Sequence, residues 1–390
     1  MGNSLRDRAR YTGGKAERNE GKIGPRWEMK VMWHMRPRQD RMTPAERMRA
    51  LLGGQPIDRV PLFLAARGFC ARNVGYPISA MYSDPEKSFW AKVWTQEQYG
   101  YDGYPVYSAY ICFGAWEFGG EVDFPRGEYE QAPKVIRFPV NSEEDVDKLK
   151  VPDVKTAGAI PLNMQFCKLQ EKHGIRRTVG IGSPFNMAGG ICGMERLGRW
   201  MIKKPELVHR ILRKVTDFCV QVVQYSVDTF GAENIELREA SPLESNQVIS
   251  PQQFEEFALP YTREVHEKVL AMGVKHIFSH ICGEQNLNLP YLARIPFGDR
   301  AILSFGHEVD LATAIKYFGD TSIIAGNVEP AVIQSGTPQQ VYELSKQAIE
   351  KAKYAPRGFI LMPGCELPPM APPYNVYMMK KAINDFGWYE

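Results

Sequence analysis

The sequence predicts a (β/α)8 barrel spanning residues 42–390. Three observations predict it. Short apolar runs with strand character recur along the chain, each bounded by Gly, Pro or Asp. Amphipathic stretches with helix-start signals lie between them. No dinucleotide-type glycine fingerprint follows the first run, which sets the chain apart from an open Rossmann sheet. Strand and helix alternating at this rhythm make a parallel sheet, and roughly eight such units close it into a barrel.

The elements follow in order. Residues 1–41 are rich in Arg, Lys, Gly and Glu and hold no sustained apolar period. They are expected to form a basic, solvated arm, poorly ordered or an extension of the domain. The domain opens at Thr43-Pro-Ala-Glu46, a capping box with proline at the first helical position. The same signal recurs at Ser250-Pro-Gln-Gln253 and Thr337-Pro-Gln-Gln340, and Asp84-Pro and Asn141-Ser-Glu-Glu-Asp145 also read as helix starts. Strands are expected at 60–64, 178–181, 234–237, 275–278, 301–304, 322–325 and 359–362.

Composition narrows the function classes. Hydrophobic residues at 44% and charged residues at 24% describe a soluble globular chain. A net charge of +3 over 390 residues argues against nucleic acid or a membrane as partner. No apolar run approaches the ~18 residues of a membrane helix, and no secretory h-region opens the chain. Seven scattered cysteines do not make a disulfide framework. A cytoplasmic protein with reduced thiols is expected, and its thiolates are then free to bind metal.

A barrel places its chemistry where strands end. The run 275–278 leads into His280-Ile-Cys282, and on a strand residues i and i+2 share a face. The last strand leads into Pro363-Gly-Cys365, whose cysteine is positioned to meet that pair over the barrel mouth. One imidazole and two thiolates select zinc over magnesium or calcium. Three protein ligands with an open fourth position describe a catalytic site. Taken alone, the pair also reads as a core histidine beside a buried thiol.

Other strand-end residues are candidates. Glu239 reads as an oxygen ligand or a base, or as the ion-pair partner of Arg238. His307, Glu308 and Asn327 are placed to line a substrate pocket, with turn duty an equal reading for Asn327. His276 is expected deeper on the same strand as a core or supporting histidine. Tyr101, Tyr104, Tyr107, Tyr110, Phe113, Trp116 and Phe118 read mainly as packing. They would also serve as a flat face for a substrate or cofactor, with Tyr107 the cofactor-contact candidate. Cys192 carries no assignment.

The order Thr43-Pro-Ala-Glu-Arg47, Asp58-Arg-Val-Pro61, Tyr101-Asp-Gly103, Met194-Glu195, Ile249-Ser-Pro251, His280-Ile-Cys-Gly283, Gly326-Asn-Val-Glu-Pro330 and Pro363-Gly-Cys365 resembles the uroporphyrinogen decarboxylase superfamily. It looks most like the cobamide-dependent methyltransferase branch. The resemblance implies a (β/α)8 barrel of the uroporphyrinogen decarboxylase type with zinc on His280, Cys282 and Cys365. It implies a corrinoid carried by a partner protein that docks over the strand ends, and a small methyl donor. It leaves room for a homodimer. The expected reaction moves a methyl group from a methyl ether or similar donor, aromatic in view of the 101–118 segment, to Co(I) of the corrinoid. The alternatives are the reverse transfer to a thiol of the coenzyme M type, and the decarboxylase itself. The decarboxylase has an Arg-Gln-Ala-Gly-Arg segment near its first strand. Here Ala65-Ala-Arg-Gly-Phe-Cys70 keeps only Arg67.

Overall fold

Hydroxyl and carboxylate caps start the helices where the sequence places them. In the computed structural model, which describes residues 38–107, 114–127 and 130–390, Thr43, Ser250 and Thr337 each close a capping box with the residue three positions on. Ser142 does the same with Asp145, and Asp84 caps Pro85–Tyr99 through the backbone N–H of Lys87. Each cap satisfies N–H groups that a helix start otherwise leaves without a partner. Most of the expected arm, and Tyr110 and Phe113 of the aromatic segment, lie outside the described residues.

The strands are β1 (Glu121–Asp123), β2 (Lys134–Arg137), β3 (Arg177–Gly180), β4 (Ile235–Ala240), β5 (His276–Ile281), β6 (Ile302–Phe305), β7 (Ile323–Val328) and β8 (Phe359–Pro363). β1 and β2 form a separate antiparallel pair. β3 to β8 form one parallel sheet in sequence order. Parallel neighbours require a crossover between them. Helices such as Pro205–Phe230, Leu259–Ala271 and Pro338–Ala352 supply it.

Two further segments extend the sheet beyond β8. Leu62 and Ala66 bridge Leu361 and Leu367 in parallel, and the Phe63 N–H donates to the Leu361 carbonyl at 2.9 Å. The Asp102 N–H donates to the Leu62 carbonyl at 2.7 Å. Between this 101–107 segment and β3, Gln170 of the helix Ile160–Lys172 spans the seam. Its Nε2 donates to the Pro105 carbonyl at 2.7 Å, and its Oε1 accepts from the Thr178 N–H at 2.9 Å. The chain is a (β/α)8 barrel in which two of the eight staves are held by isolated bridges and side chains.

Buried charges reinforce those staves. Arg47 pairs with Asp58 at 2.6 Å and also with Asp102, while Arg59 reaches Asp102 at 2.7 Å. Asp102 also accepts from the Leu62 N–H at 2.8 Å. All four charged side chains are buried. Thus the Thr43–Arg47, Asp58–Pro61 and Tyr101–Gly103 stretches noted in the sequence form one ion cluster. Inside the ring, Phe63, Phe278, Ile302, Ile323, Ala325, Ile360 and Met362 pack together, so the barrel interior is filled on its lower side. Among the described residues no helix is long and apolar enough to cross a membrane.

Candidate metal centre

Strand parity aims the chemistry into the barrel. On β5, Phe278 and His280 face the interior, and Ile277 and Ile281 are buried on the other side. Cys282 continues the inward row just past the strand end. Gly283 follows at φ +75°, a conformation that favours glycine, and turns the chain away. Cys365 arrives from the turn after β8. Its neighbour Gly364 lies so close to the loop after β6 that an added Cβ would stand 2.7 Å from the His307 backbone nitrogen.

Nitrogen and sulfur ligand atoms of His280, Cys282 and Cys365 all lie within 4.8 Å of one another. The two Sγ atoms are 3.7 Å apart. The His280 Nδ1 is 3.0 Å from Ser304 Oγ, its register partner on β6. Its Nε2 is buried and, among the described residues, meets no hydrogen-bond acceptor or donor other than the neighbouring Cys365 thiol. A buried ring nitrogen so poorly partnered is costly unless something binds it. The two thiols titrate as a pair. Their mutual hydrogen bond holds the Cys365 thiol far below its ordinary value, against burial and with help from His280. The same contact, followed by burial and by the charge of Glu308, pushes Cys282 up. One imidazole lone pair and two thiols, one of them predisposed to ionise, make a donor set that fits a soft metal ion.

The group opens onto a cavity of about 320 Å³. Its walls include Phe63, Tyr104, Phe278 and Met362. Three cations also line it. Arg67 is paired with Glu366, the residue after Cys365, and Arg238 with Glu236 at 2.7 Å. Lys92 is buried, and that burial pushes its ammonium down to about 8.

The remaining candidates are placed elsewhere. Glu239 pairs in register with Ser279, not His280, and so faces the helices. Its Oε1 accepts from His266 Nε2 at 2.9 Å and from Ser279 Oγ at 2.8 Å. It is not brought into the His280–Cys282–Cys365 group and does not line the cavity. Arg238, considered as its ion-pair partner, pairs with Glu236 instead. His307 is exposed beside Gly364, 3.3 Å from Glu308. Asn327 donates to the Gly306 and Val309 carbonyls at 3.0 and 2.7 Å and so fastens the loop after β6. Tyr107 is buried beside Phe166 with its hydroxyl on the Tyr82 carbonyl, which is packing duty. His276 is half-buried at the start of β5, and Cys192 is buried in the helix Pro184–Cys192. Sequence reading passed over Lys92 and Glu366, and it left Arg238 out of the cavity. The signal for Glu366 was its adjacency to Cys365. Lys92 offered none, since its helix looks amphipathic and solvated.

A parallel barrel with an N,S,S donor set at its strand ends makes a class of barrel enzyme whose mouth could hold a metal ion. The uroporphyrinogen decarboxylase (URO-D) family matches residues 43–386, and the chain belongs to that family. Methylcobamide:CoM methyltransferase MtbA of Methanosarcina acetivorans is 27% identical over 354 residues, covering 89% of this chain and 99% of that protein. Methylcobamide:CoM methyltransferase MtaA of Methanosarcina barkeri is 24% identical over 349 residues, covering 87% and 97%. A uroporphyrinogen decarboxylase of Anaeromyxobacter is 23% identical over 351 residues, covering 86% and 96%. A solved methyltransferase structure from Methanosarcina mazei shares the fold with a TM-score of 0.73, at 24% identity, covering 88% of this chain and 99% of that one.

Proposed function

We propose that this chain is a zinc-dependent methyltransferase that works with a corrinoid protein. The observation that carries the reading is the buried His280 Nε2 grouped with two thiols, their ligand atoms within 4.8 Å of one another, at the mouth of a cavity. Full-length similarity to MtbA and MtaA supports corrinoid-dependent methyl transfer. His280, Cys282 and Cys365 would hold the zinc. When bound, zinc acts as a Lewis acid that stabilises negative charge on a heteroatom at its open position.

The chain's own residues do the rest. With zinc on Nε2, the His280 Nδ1–H would donate to the Ser304 hydroxyl 3.0 Å away, which fixes the tautomer. Phe63, Tyr104 and Phe278 exclude water and hold an apolar substrate body. The open end of the cavity at the strand ends admits the corrinoid of a partner protein.

The direction favoured is from a small methyl donor to Co(I) of the corrinoid. The names of MtbA and MtaA favour the reverse, from methylcobamide to a thiol. Decarboxylation is disfavoured because Arg67 is already paired with Glu366. Metal analysis of purified protein is expected to give about one zinc per chain. Corrinoid spectra recorded with candidate methyl ethers, and with methylcobalamin plus thiols, decide the direction. A metal-free protein that changes neither spectrum would sink the proposal.

A further inference from the structure

The cavity floor carries a guanidinium whose donors are only partly used. Arg238 projects inward from β4 and lies in register with Phe278. Its guanidinium carbon stands 4.1 Å from the Phe278 ring centroid and 5.3 Å from that of Tyr104. Its Nε donates to Glu236 Oε1 at 2.7 Å, and the Tyr104 hydroxyl donates to Glu236 Oε2. Packing on two rings and a fixed carboxylate leaves the group rigid. Its one carboxylate bond is made through Nε, and the Tyr104 hydroxyl is the other side-chain group that bonds to it among the described residues. The side chain keeps 14% exposure, toward the cavity. A guanidinium has five N–H donors, and the Glu236 and Tyr104 contacts occupy only part of them.

Charge points the same way. Three cations line the cavity, and two of them, Arg67 and Arg238, have carboxylate partners. Lys92 has none among the described residues and donates to Ser88 Oγ at 2.5 Å. A substrate carrying one negative charge balances that wall. Depth fits as well. Ala240, two residues beyond Arg238, is level with His280. The guanidinium is therefore rooted one pleat, about 6.6 Å, below the metal-binding row.

We propose that Arg238 anchors one oxyanion group, a carboxylate or a sulfonate, on the methyl-group substrate and so sets its reacting heteroatom against His280, Cys282 and Cys365. A planar fork with donors left over suits such a group, which takes two parallel hydrogen bonds. The substrate's role rests on the methyltransferase reading, while the anchor is a statement about binding and is tested as one.

Calorimetry on the full chain, zinc-loaded and zinc-free, would compare 4-methoxybenzoate with anisole and 2-mercaptoethanesulfonate with 2-mercaptoethanol. At least one acid is expected to bind about tenfold or more tightly than its neutral counterpart. Which acid does so separates a carboxylated donor from a sulfonated thiol. Arg238→Gln alone would strand Glu236, so the test variant is the double Arg238→Gln/Glu236→Gln, checked by circular dichroism. Arg238→Lys, which keeps the charge and loses the fork, stands beside it. Both are expected to erase most of the preference. Acids that bind no better than their neutral counterparts, or a preference that survives both variants, would overturn the anchor. Acid binding through Arg238 in a protein that transfers no methyl group would overturn the methyltransferase reading and leave the anchor standing.

Discussion

Cys282 Sγ and Cys365 Sγ stand 3.7 Å apart although 83 positions separate them in the chain. Ring closure brings them together: β8 lies beside the 60–66 stave at one edge and β7 at the other, while β5 reaches the same mouth. A separation this short between two thiols, with a buried imidazole nitrogen beside them, is what one bound ion would reconcile.

Cys365→Ser is therefore expected to remove most of the metal. The hydroxyl is a poorer ligand for zinc than a thiolate, and the coupled pair loses the member that ionises first. Zinc per chain, measured by elemental analysis after dialysis, should fall to below about a tenth of wild type. Retention of a full equivalent would show that the thiol is not a ligand.

Ser304→Ala tests the support beneath that site. Its hydroxyl lies 3.0 Å from His280 Nδ1, and by accepting a hydrogen bond from Nδ1–H it would leave the lone pair on Nε2. Loss of such a partner costs about 10–100-fold in metal affinity. Competition with a chromogenic chelator would read the change, and unchanged affinity would mean that the ring is oriented by packing alone.

Glu239→Gln separates two roles for a residue that the sequence nominated as a ligand. Against the burial that pushes it up, the charge and hydrogen bond of His266 hold the Glu239 carboxyl below its ordinary value. His266 donates to it from Nε2, and its Nδ1 faces the Pro296 carbonyl at 3.2 Å. Removing one partner of a buried pair costs about 3–5 kcal/mol. The variant should keep its zinc and melt at a lower temperature. Zinc loss at unchanged melting temperature would restore the ligand role.

Much of this was legible beforehand, and the exceptions have physical causes. The parallel strands announced themselves as apolar runs because both of their faces are covered. Their ends located His280, Cys282 and Cys365, since the i, i+2 rule needs no knowledge of neighbours. Glu239 required the β4–β5 register, which pairs it with Ser279 and turns it outward, and register is a tertiary quantity. The 101–107 stave carries no apolar run because Asp102 and Gln170 hold it through side chains in place of a ladder. Its tyrosines accordingly read as a cluster without a strand, and Tyr107 was given a cofactor role while Tyr104 is the one at the cavity.

Acid should weaken the cluster that fastens those staves. Burial pushes the Asp58 carboxyl up, but the Arg47 hydrogen bond and charge and the Arg41 and Met42 N–H groups outweigh it, leaving about 2 against an ordinary 3.8. A carboxyl depressed in the fold binds its proton more readily when unfolded, so stability falls as pH falls. The contribution is fully present above about pH 5 and is lost as pH drops through about 2, an effect of about 2 kcal/mol. Asp58→Asn removes this dependence and destabilises the protein at neutral pH by leaving Arg47 short of a carboxylate. Wild type and Asp58→Asn should therefore differ most in melting temperature at pH 7 and converge toward pH 3. A gap that stays constant over that range would mean that the Arg47–Asp58 pair does not titrate with the fold.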